Sequence, residues 1–461
     1  MSARFVDLDR QTPLFLPCDL REWLPADHLV HFILDAVEQI PTGHFRVNHR
    51  GTGSEQYPPT MMLALLIYAY ATGRFGSRTI EAATHSDVAV RYLCANHHPD
   101  HASICAFRTA NRAAFQAAFV TVLQLAQQLH LTRVGTVSVD GTKIQANASK
   151  HAAVSYQRAG ELIAQLQLEV QELVTRAEQA DTREAKETLD IPAELTRRES
   201  RIEALKQARQ VIEARAKEIA VAQQAEHQAK VAVRQAQRDA GKKPRGREPQ
   251  PPSETPDPKA QYNFTDPTSR IMKAGNGQHF EQAYNAQAAV NEVMLIVGQR
   301  VSDAPNDKQE LVPNMAAISP VVADDLHAVL VDSGFYSAAA VQAVEQKPDG
   351  TPSGLTVYAA VGKQSHHNTV ADLLPQAEPA PLVAATPKET MAHRLQTSVG
   401  KQLYKLRKQT VEPAFGIIKS VLGFRQFLLR GREKVSLEWL LVCVSYNFKR
   451  LLTLKKLAAA S

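Results

Sequence analysis

Two short apolar segments of the chain each run directly into an aspartate. The first is Val134-Gly135-Thr136-Val137-Ser138-Val139-Asp140-Gly141-Thr142, and the second is Ala328-Val329-Leu330-Val331-Asp332-Ser333-Gly334-Phe335. In the first, a period of two sets Thr136, Ser138, Asp140 and Thr142 on one face of a strand, with Val137 and Val139 on the other. Strand-like sequence also covers Phe280 to Gln287 and Met294 to Val301, and Leu311 to Ala317 reads as a short helix before the second aspartate. Ahead of the first strand the pattern is helical. Met61 to Ile67 predicts a buried helix, short helices break at Gly73 and Gly76, and Asp100 after Pro99 predicts a capped helix reaching Arg108.

After the first strand the β pattern stops for more than a hundred residues. Leu166, Val170, Leu173 and Ala177, then Ile202, Leu205, Arg209, Ile212, Ala216 and Ile219, recur at spacings of three and four. With a polar connection around Asp181 to Pro192, this predicts an antiparallel helical hairpin or short coiled coil. Lys242 to Lys259 is a charged, Pro-rich linker, and Leu373 to Pro387 is a second Pro/Ala-rich excursion. Trp439, Leu440, Val444 and Leu451 form an amphipathic stripe expected to face the core. The 461 residues therefore divide into a helical N-terminal domain (1–133), the first part of an α/β core (134–150) and a helical insertion (151–241). A linker (242–260), the second part of the core (261–345), an irregular insertion (346–395) and a basic helix with the C-terminal helices (396–456) follow.

An apolar fraction of 44% with 22% charged residues is ordinary for a soluble protein. The net charge of +6 is unevenly spread: Lys401 to Lys456 holds thirteen Lys/Arg against Glu412, Glu433 and Glu438, leaving the remainder slightly acidic. That segment points to a polyanionic partner. Cys18, Cys94, Cys105 and Cys443 are too widely spaced for a disulfide framework, which fits a reducing cytoplasm. The longest apolar run, Met61 to Ala71, is too short to span a bilayer, and no export signal is visible; a cytoplasmic protein without membrane association is expected. Cys94, His97, His98, His101 and Cys105 crowd together, yet without the ligand spacing of a zinc site, and read as ordinary surface and core residues.

A third acid stands in the basic segment, in Arg407-Lys408-Gln409-Thr410-Val411-Glu412-Pro413-Ala414-Phe415-Gly416-Ile417-Ile418-Lys419. Carboxylates gathered from distant parts of a chain, with lysines and arginines around the last, suit hard cations and a nucleic-acid phosphate. Taken alone, Asp140-Gly141 and Asp332-Ser333-Gly334 read as turns. Asp140-Gly141-Thr142-Lys143, Tyr284-Asn285-Ala286-Gln287, Asn306-Asp307-Lys308, Asp332-Ser333-Gly334-Phe335-Tyr336 and Thr410 to Lys419, continued through Leu422 to Gly431, occur in order. Over nearly its whole length the chain resembles the DDE transposases of bacterial insertion sequences, nearest to the IS1182 group of the IS4/IS5-like transposases.

The resemblance implies an α/β fold with an RNase H-like catalytic core, a mixed sheet flanked by helices. It also implies an N-terminal all-helical domain that binds terminal inverted repeats, and the helical-hairpin insertion. Asp140, Asp332 and Glu412 would hold two Mg²⁺ ions, with Mn²⁺ a possible substitute, Asp140 bridging both. Such a pair, about 3.5–4 Å apart, serves both end cleavage and attack of the freed 3′-hydroxyl on target DNA. A synaptic homodimer is expected, because two element ends must be held together. Related enzymes carry Tyr, Arg, Glu and Lys in this helix, with Tyr and Arg on DNA. Tyr404 and Arg407 share a face, but Arg407 precedes Glu412 by one residue more than that signature, and Lys408 has the expected spacing. The role stays open between them. Lys419, two turns after Glu412, is placed on a phosphate. Pro413 predicts a helix that starts or kinks there. Asn147, Asn285 and Gln287 either support the site or bond backbone and neighbouring strands. The alternatives are a non-catalytic DNA-binding coiled-coil protein and a related nuclease without strand transfer. A binder gains nothing from carboxylates that repel phosphate.

Overall fold

The structure is a computed structural model that describes residues 19–48, 55–132, 135–183, 190–241, 243–244, 246–274, 277, 279–362, 378–382 and 385–460. Val134, the hairpin connection at 184–189, Lys242 and Pro-rich residues 373–377 and 383–384 lie outside them. In chain order the helices are α1 (Leu29–Val37), α2 (Pro59–Ala71), α3 (Ser77–Ser86), α4 (Val88–Leu93), α5 (His101–Ala110) and α6 (Arg112–Gln128). Then come β1 (Thr136–Gln145), β2 (Ala153–Ser155), α7 (Tyr156–Arg183), α8 (Ile191–Asp239), β3 (Gln261–Asn263), β4 (Arg270–Lys273), β5 (Phe280–Asn291) and β6 (Ile296–Ser302). The chain continues through α9 (Leu311–Ala316), α10 (Pro320–Ala323), β7 (Ala328–Val331), α11 (Ala338–Glu345), β8 (Thr356–Ala359), α12 (Pro387–Gln396), α13 (Ser398–Gly416) and α14 (Arg432–Ala460). Two compact units result, one of Met1–Ile144 with Asn285–Ser461 and one of Gln145–Tyr284.

The first unit is built on a mixed sheet. β5 lies between β6, antiparallel to it, and β1; β7 runs parallel to β1, and β8 parallel to β7. β7 is apolar at all four positions because it is buried on both faces, as an interior parallel strand must be. β1 pairs with β7 as Thr136↔Ala328, Val137↔Val329 and Ser138↔Leu330. Carried two residues on, that register sets Asp332 beside Asp140 at adjacent strand ends, where neighbouring strands are about 4.8 Å apart.

Helix α14 is buried on every side from Leu437 to Phe448, not along a stripe. It lies between α2 and α6 on one side and β6 on the other. Its Asn447 behaves like another strand residue, accepting from Ile296 N (2.8 Å) and donating to Ile296 O (2.8 Å). From Met61 to Ala71, α2 is likewise buried all round. A polar contact crosses this apolar layer: Arg108 Nη1 donates to Tyr70 Oη (2.9 Å), and Tyr70 Oη donates to Glu438 Oε1 (3.2 Å). Glu438 Oε2 accepts the backbone N–H groups of Leu428 and Leu429, both at 3.0 Å. The N-terminal helices thus share a core with the sheet.

In the second unit α7 and α8 form an antiparallel pair, shown by Tyr156 against Glu213 (2.7 Å) and Glu169 against Arg198 (2.8 Å). Val154, Ala159, Leu205 and Ala208 make its core, with Tyr262 and Phe264 against it. Ile202, Leu205 and Ile212 face in, as the periodicity predicts, but Ile219 is exposed. With 49 residues, α8 is about 70 Å long. The Pro-rich stretch after it lies back along the helix: Arg234 donates to Gly246 O (2.8 Å) and Arg247 O (2.7 Å). β2 pairs with β3, and β4 with the first residues of β5, both antiparallel.

Two expectations are corrected. The stretch 346–395, read as irregular, contains β8, the sheet's edge strand, and most of α12. Thr-Val-Tyr-Ala is too short to reveal a period. Of the two readings of Pro413, the helix start is overturned: α13 starts at Ser398 and carries the proline inside it, then passes into a π-helical turn, Ile417–Val421. Proline removes one helical N–H, a cost of about 3 kcal/mol in an isolated helix, and the buried Val411, Ala414 and Phe415 around it offset that.

Candidate active site

Three side chains fasten α13 and the π-helical turn after it to the two aspartate-bearing strands. Tyr404 Oη donates to Val331 O (3.1 Å), the carbonyl just before Asp332. Thr410 Oγ1 lies 2.8 Å from Ser138 Oγ, two residues before Asp140, in a fully buried contact. Lys419 Nζ donates to Lys143 O (2.8 Å) on β1. The helix face that does this runs Tyr404, Arg407, Val411, Ala414 and Ile418, at spacings of three and four. Glu412 stands at the edge of that face with its side chain 48% exposed, and Lys408 is exposed beside it.

Asp140, Asp332 and Glu412 converge on one guanidinium. Arg407 Nη2 is 2.9 Å from Asp140 Oδ2 and 3.9 Å from Asp332 Oδ2, and Nη1 is 2.9 Å from Glu412 Oε1. The turn reading of the two aspartates also holds. Asp140 Oδ1 accepts from Gly141 N and Asp332 Oδ1 from Gly334 N, each at 2.8 Å. One oxygen of each carboxylate is fixed to backbone while the other faces the cation. Asp140 is the innermost acid. Burial drives its pKa up to about 7, against the pull of Arg407 and with the push of Asp332. Burial also acts against the charge of Arg407, but Asp140, then Tyr404, Asp332 and Glu412, hold its pKa above the ordinary value.

A fourth acid lies behind β1, where sequence reading assigned none. Asp307 Oδ1 accepts from Asn285 Nδ2 and Gln287 Nε2, each at 2.7 Å. Gln287 Oε1 is in turn held by Asn314 Nδ2 (2.9 Å), and Gln287 O by the Trp439 indole N–H (3.0 Å). Asn285 and Gln287 thus serve a carboxylate, while Asn147 belongs to the other unit. Gly141 is required here, since a Cβ would collide with the Gln287 amide and come within 2.7 Å of both Asn285 Oδ1 and Asp307 Oδ1. Lys143 Nζ is buried near the same group and makes no hydrogen bond. Its pKa is lowered by burial, opposed by Asp307, Asp140 and Asp332 in that order. Asp307 carries no mark in sequence beyond the triplet Asn306-Asp307-Lys308.

The other clustered residues have local partners. His101 pairs with Glu81 (2.9 Å), His98 stacks on His85 with centroids 3.9 Å apart, and Cys94 is buried. Among the described residues no three His, Cys, Asp or Glu side chains stand close enough together to hold one metal ion. No helix among them is long and apolar enough to cross a membrane.

Residues 378–452, which include Tyr404, Arg407, Glu412 and Lys419, match the family described as Transposase DDE domain. Residues 18–110 match the family described as Transposase domain (DUF772). Both ends of the chain match transposase domains. No curated protein and no solved structure matches it. The two matches fall in the same unit, and the Arg108–Tyr70–Glu438 contact joins one to the other. Asp140 and Asp332 lie outside both, so their place in the site rests on strand register and the shared guanidinium.

Proposed function

We propose that this protein is a DDE DNA transposase of the insertion-sequence type, of the IS1182 group, with an RNase H-like core. It binds the inverted repeats at its element's ends, cleaves there and joins the 3′-ends to target DNA, as a synaptic homodimer. The observation that carries the reading is the convergence of Asp140 and Asp332, at the ends of β1 and β7, with Glu412 of α13, which stands in the basic segment that matches a DDE domain. The mixed sheet, ordered β6-β5-β1-β7-β8 with β5 and β6 antiparallel and β1, β7 and β8 parallel, supports the core assignment.

The donor set fits divalent cations. It consists of carboxylate oxygens, which Mg²⁺ and Mn²⁺ prefer, and the strands hold one oxygen of each aspartate aimed at a shared positive charge. Two such ions on Asp140, Asp332 and Glu412 would supply an activated oxygen nucleophile and neutralise the phosphate. The chain's own residues position the acids. Tyr404, Thr410 and Lys419 lock α13 against the strand ends, and the Gly141 N–H orients Asp140. Lys408 and the remaining exposed cations after Lys401 provide phosphate contacts, with Arg407 and Tyr404 at the inner edge of that surface.

Asp140→Asn, Asp332→Asn and Glu412→Gln each change charge with little change of shape. In an assay on a plasmid carrying the DNA that flanks the gene, each should lose cleavage and joining by about 10³-fold or more, while filter retention of the DNA stays near wild type, an order-of-magnitude expectation (~4 kcal/mol) for removing a metal ligand. Normal end cleavage by any of the three would remove that residue from the site. Cleavage without joining in the wild type would favour a nuclease.

A further inference from the structure

The oxygens that a cation would use are the ones Arg407 already holds. Asp140 Oδ1 and Asp332 Oδ1 are committed to the Gly141 and Gly334 N–H groups. The outward oxygens, Asp140 Oδ2, Asp332 Oδ2 and Glu412 Oε1, are those at 2.9, 3.9 and 2.9 Å from the guanidinium. The two ends of the guanidinium divide the acids, Nη2 taking the aspartates and Nη1 the glutamate, while its Nε is buried without a hydrogen bond. The Arg407 side chain is only 12% exposed, whereas Lys408 beside it is exposed, so no other cation of the helix takes this place.

We propose that Arg407 is a resident counter-ion. It gathers the three carboxylates before a divalent cation binds, and it gives them up when one does. Metal entry and withdrawal of this guanidinium are then a single event, and a released guanidinium at the rim of a basic surface turns to a DNA phosphate. The inference rests on the metal-site reading above. Its physical basis is direct competition: an arginine and a divalent ion cannot share the same carboxylate lone pairs, and two like charges a few ångströms apart repel strongly at partly buried sites. Arg407 is therefore a positioning residue with an opposing effect on metal affinity, and DNA and metal should favour each other through it.

The test is Mn²⁺ binding to the full-length protein without DNA, followed by calorimetry and by the spin signal of free Mn²⁺. Arg407→Met should bind Mn²⁺ at least about tenfold more tightly than wild type, with Arg407→Lys between them. A short DNA duplex of arbitrary sequence should tighten Mn²⁺ binding by the wild type and leave Arg407→Met unchanged. Equal or weaker Mn²⁺ binding by a folded Arg407→Met protein overturns the inference; if that variant does not fold, wild-type affinity in Arg407→Lys does so. Mn²⁺ binding that Asp140→Asn leaves unaltered overturns the metal-site reading itself, a result distinct from either.

Discussion

Replacing Gly141 by alanine adds one methyl group at the tightest point behind the acids. The new Cβ would collide with the Gln287 amide and stand 2.7 Å from Asn285 Oδ1 and Asp307 Oδ1. None of these can swing aside: Gln287 is held by Asn314, and Asp307 by both Asn285 and Gln287. Ordinary contact needs about 3.4 Å or more, so β1 must move by more than about 0.7 Å, and further to clear the Gln287 amide, or the polar layer must break. Overpacking of this kind costs about 1–3 kcal/mol. Because Asp140 is the preceding residue, the same displacement should reduce DNA cleavage by about 10²-fold. Trp439, whose indole binds Gln287 O, is a built-in reporter, and Trp23→Phe removes the other tryptophan. Urea unfolding followed by Trp439 fluorescence should show the loss, and Gln287→Ala in the same chain should restore part of it. Wild-type stability and cleavage in Gly141→Ala would refute the account of this layer.

The remaining predictions concern pH and the second unit. Asp140, with a folded pKa of about 7 against an ordinary 3.8, stabilises the metal-free protein at low pH, and that contribution is lost as pH rises through about 7. Asp140→Asn should therefore gain most over wild type at pH 8, in urea unfolding of the metal-free proteins; a pH-independent difference would remove the shift. Mn²⁺ requires the ionised form, so its affinity should fall about tenfold per pH unit below 7, as read by titration calorimetry. Replacing residues 151–259 by a short Gly/Ser linker should leave a unit that folds around Trp439 and binds Mn²⁺ but assembles paired ends poorly on native gels; normal transposition would show the hairpin to be dispensable.

How legible the chain is depends on how local each cause is. Ala328 to Val331 announces a strand because an interior parallel strand needs only apolar residues, and the acid at its end follows. The α7–α8 pairing is visible because its cause is a repeat. Helix α14 reads as a stripe around Trp439, although it is buried on all sides, because Glu438 and Asn447 are polar groups satisfied by distant partners. The choice between Arg407 and Lys408 is not decided by spacing from Glu412. What the phase of the helix separates is their place: Tyr404, Arg407, Val411 and Ala414 face the strands, and Lys408 is exposed. Asp307 is silent in sequence because its partners Asn285 and Gln287 meet it only across the sheet.

The contact between Tyr70 and Glu438 spans 368 residues of chain, and this separation governs the protein during its own synthesis. At about 5–20 residues per second, α2 leaves the ribosome roughly 20–70 s before α14 exists to cover it. Until then the side of α2 that meets α14 stays uncovered, although α1, α4 and α5 pack elsewhere on it, and Tyr70 lacks the carboxylate that accepts from its hydroxyl. A prematurely terminated product lacking α14 would keep that surface bare and carry no completed core. The N-terminal helices complete their core only against α14, so copies that end before it would present this apolar surface to chaperones and proteases.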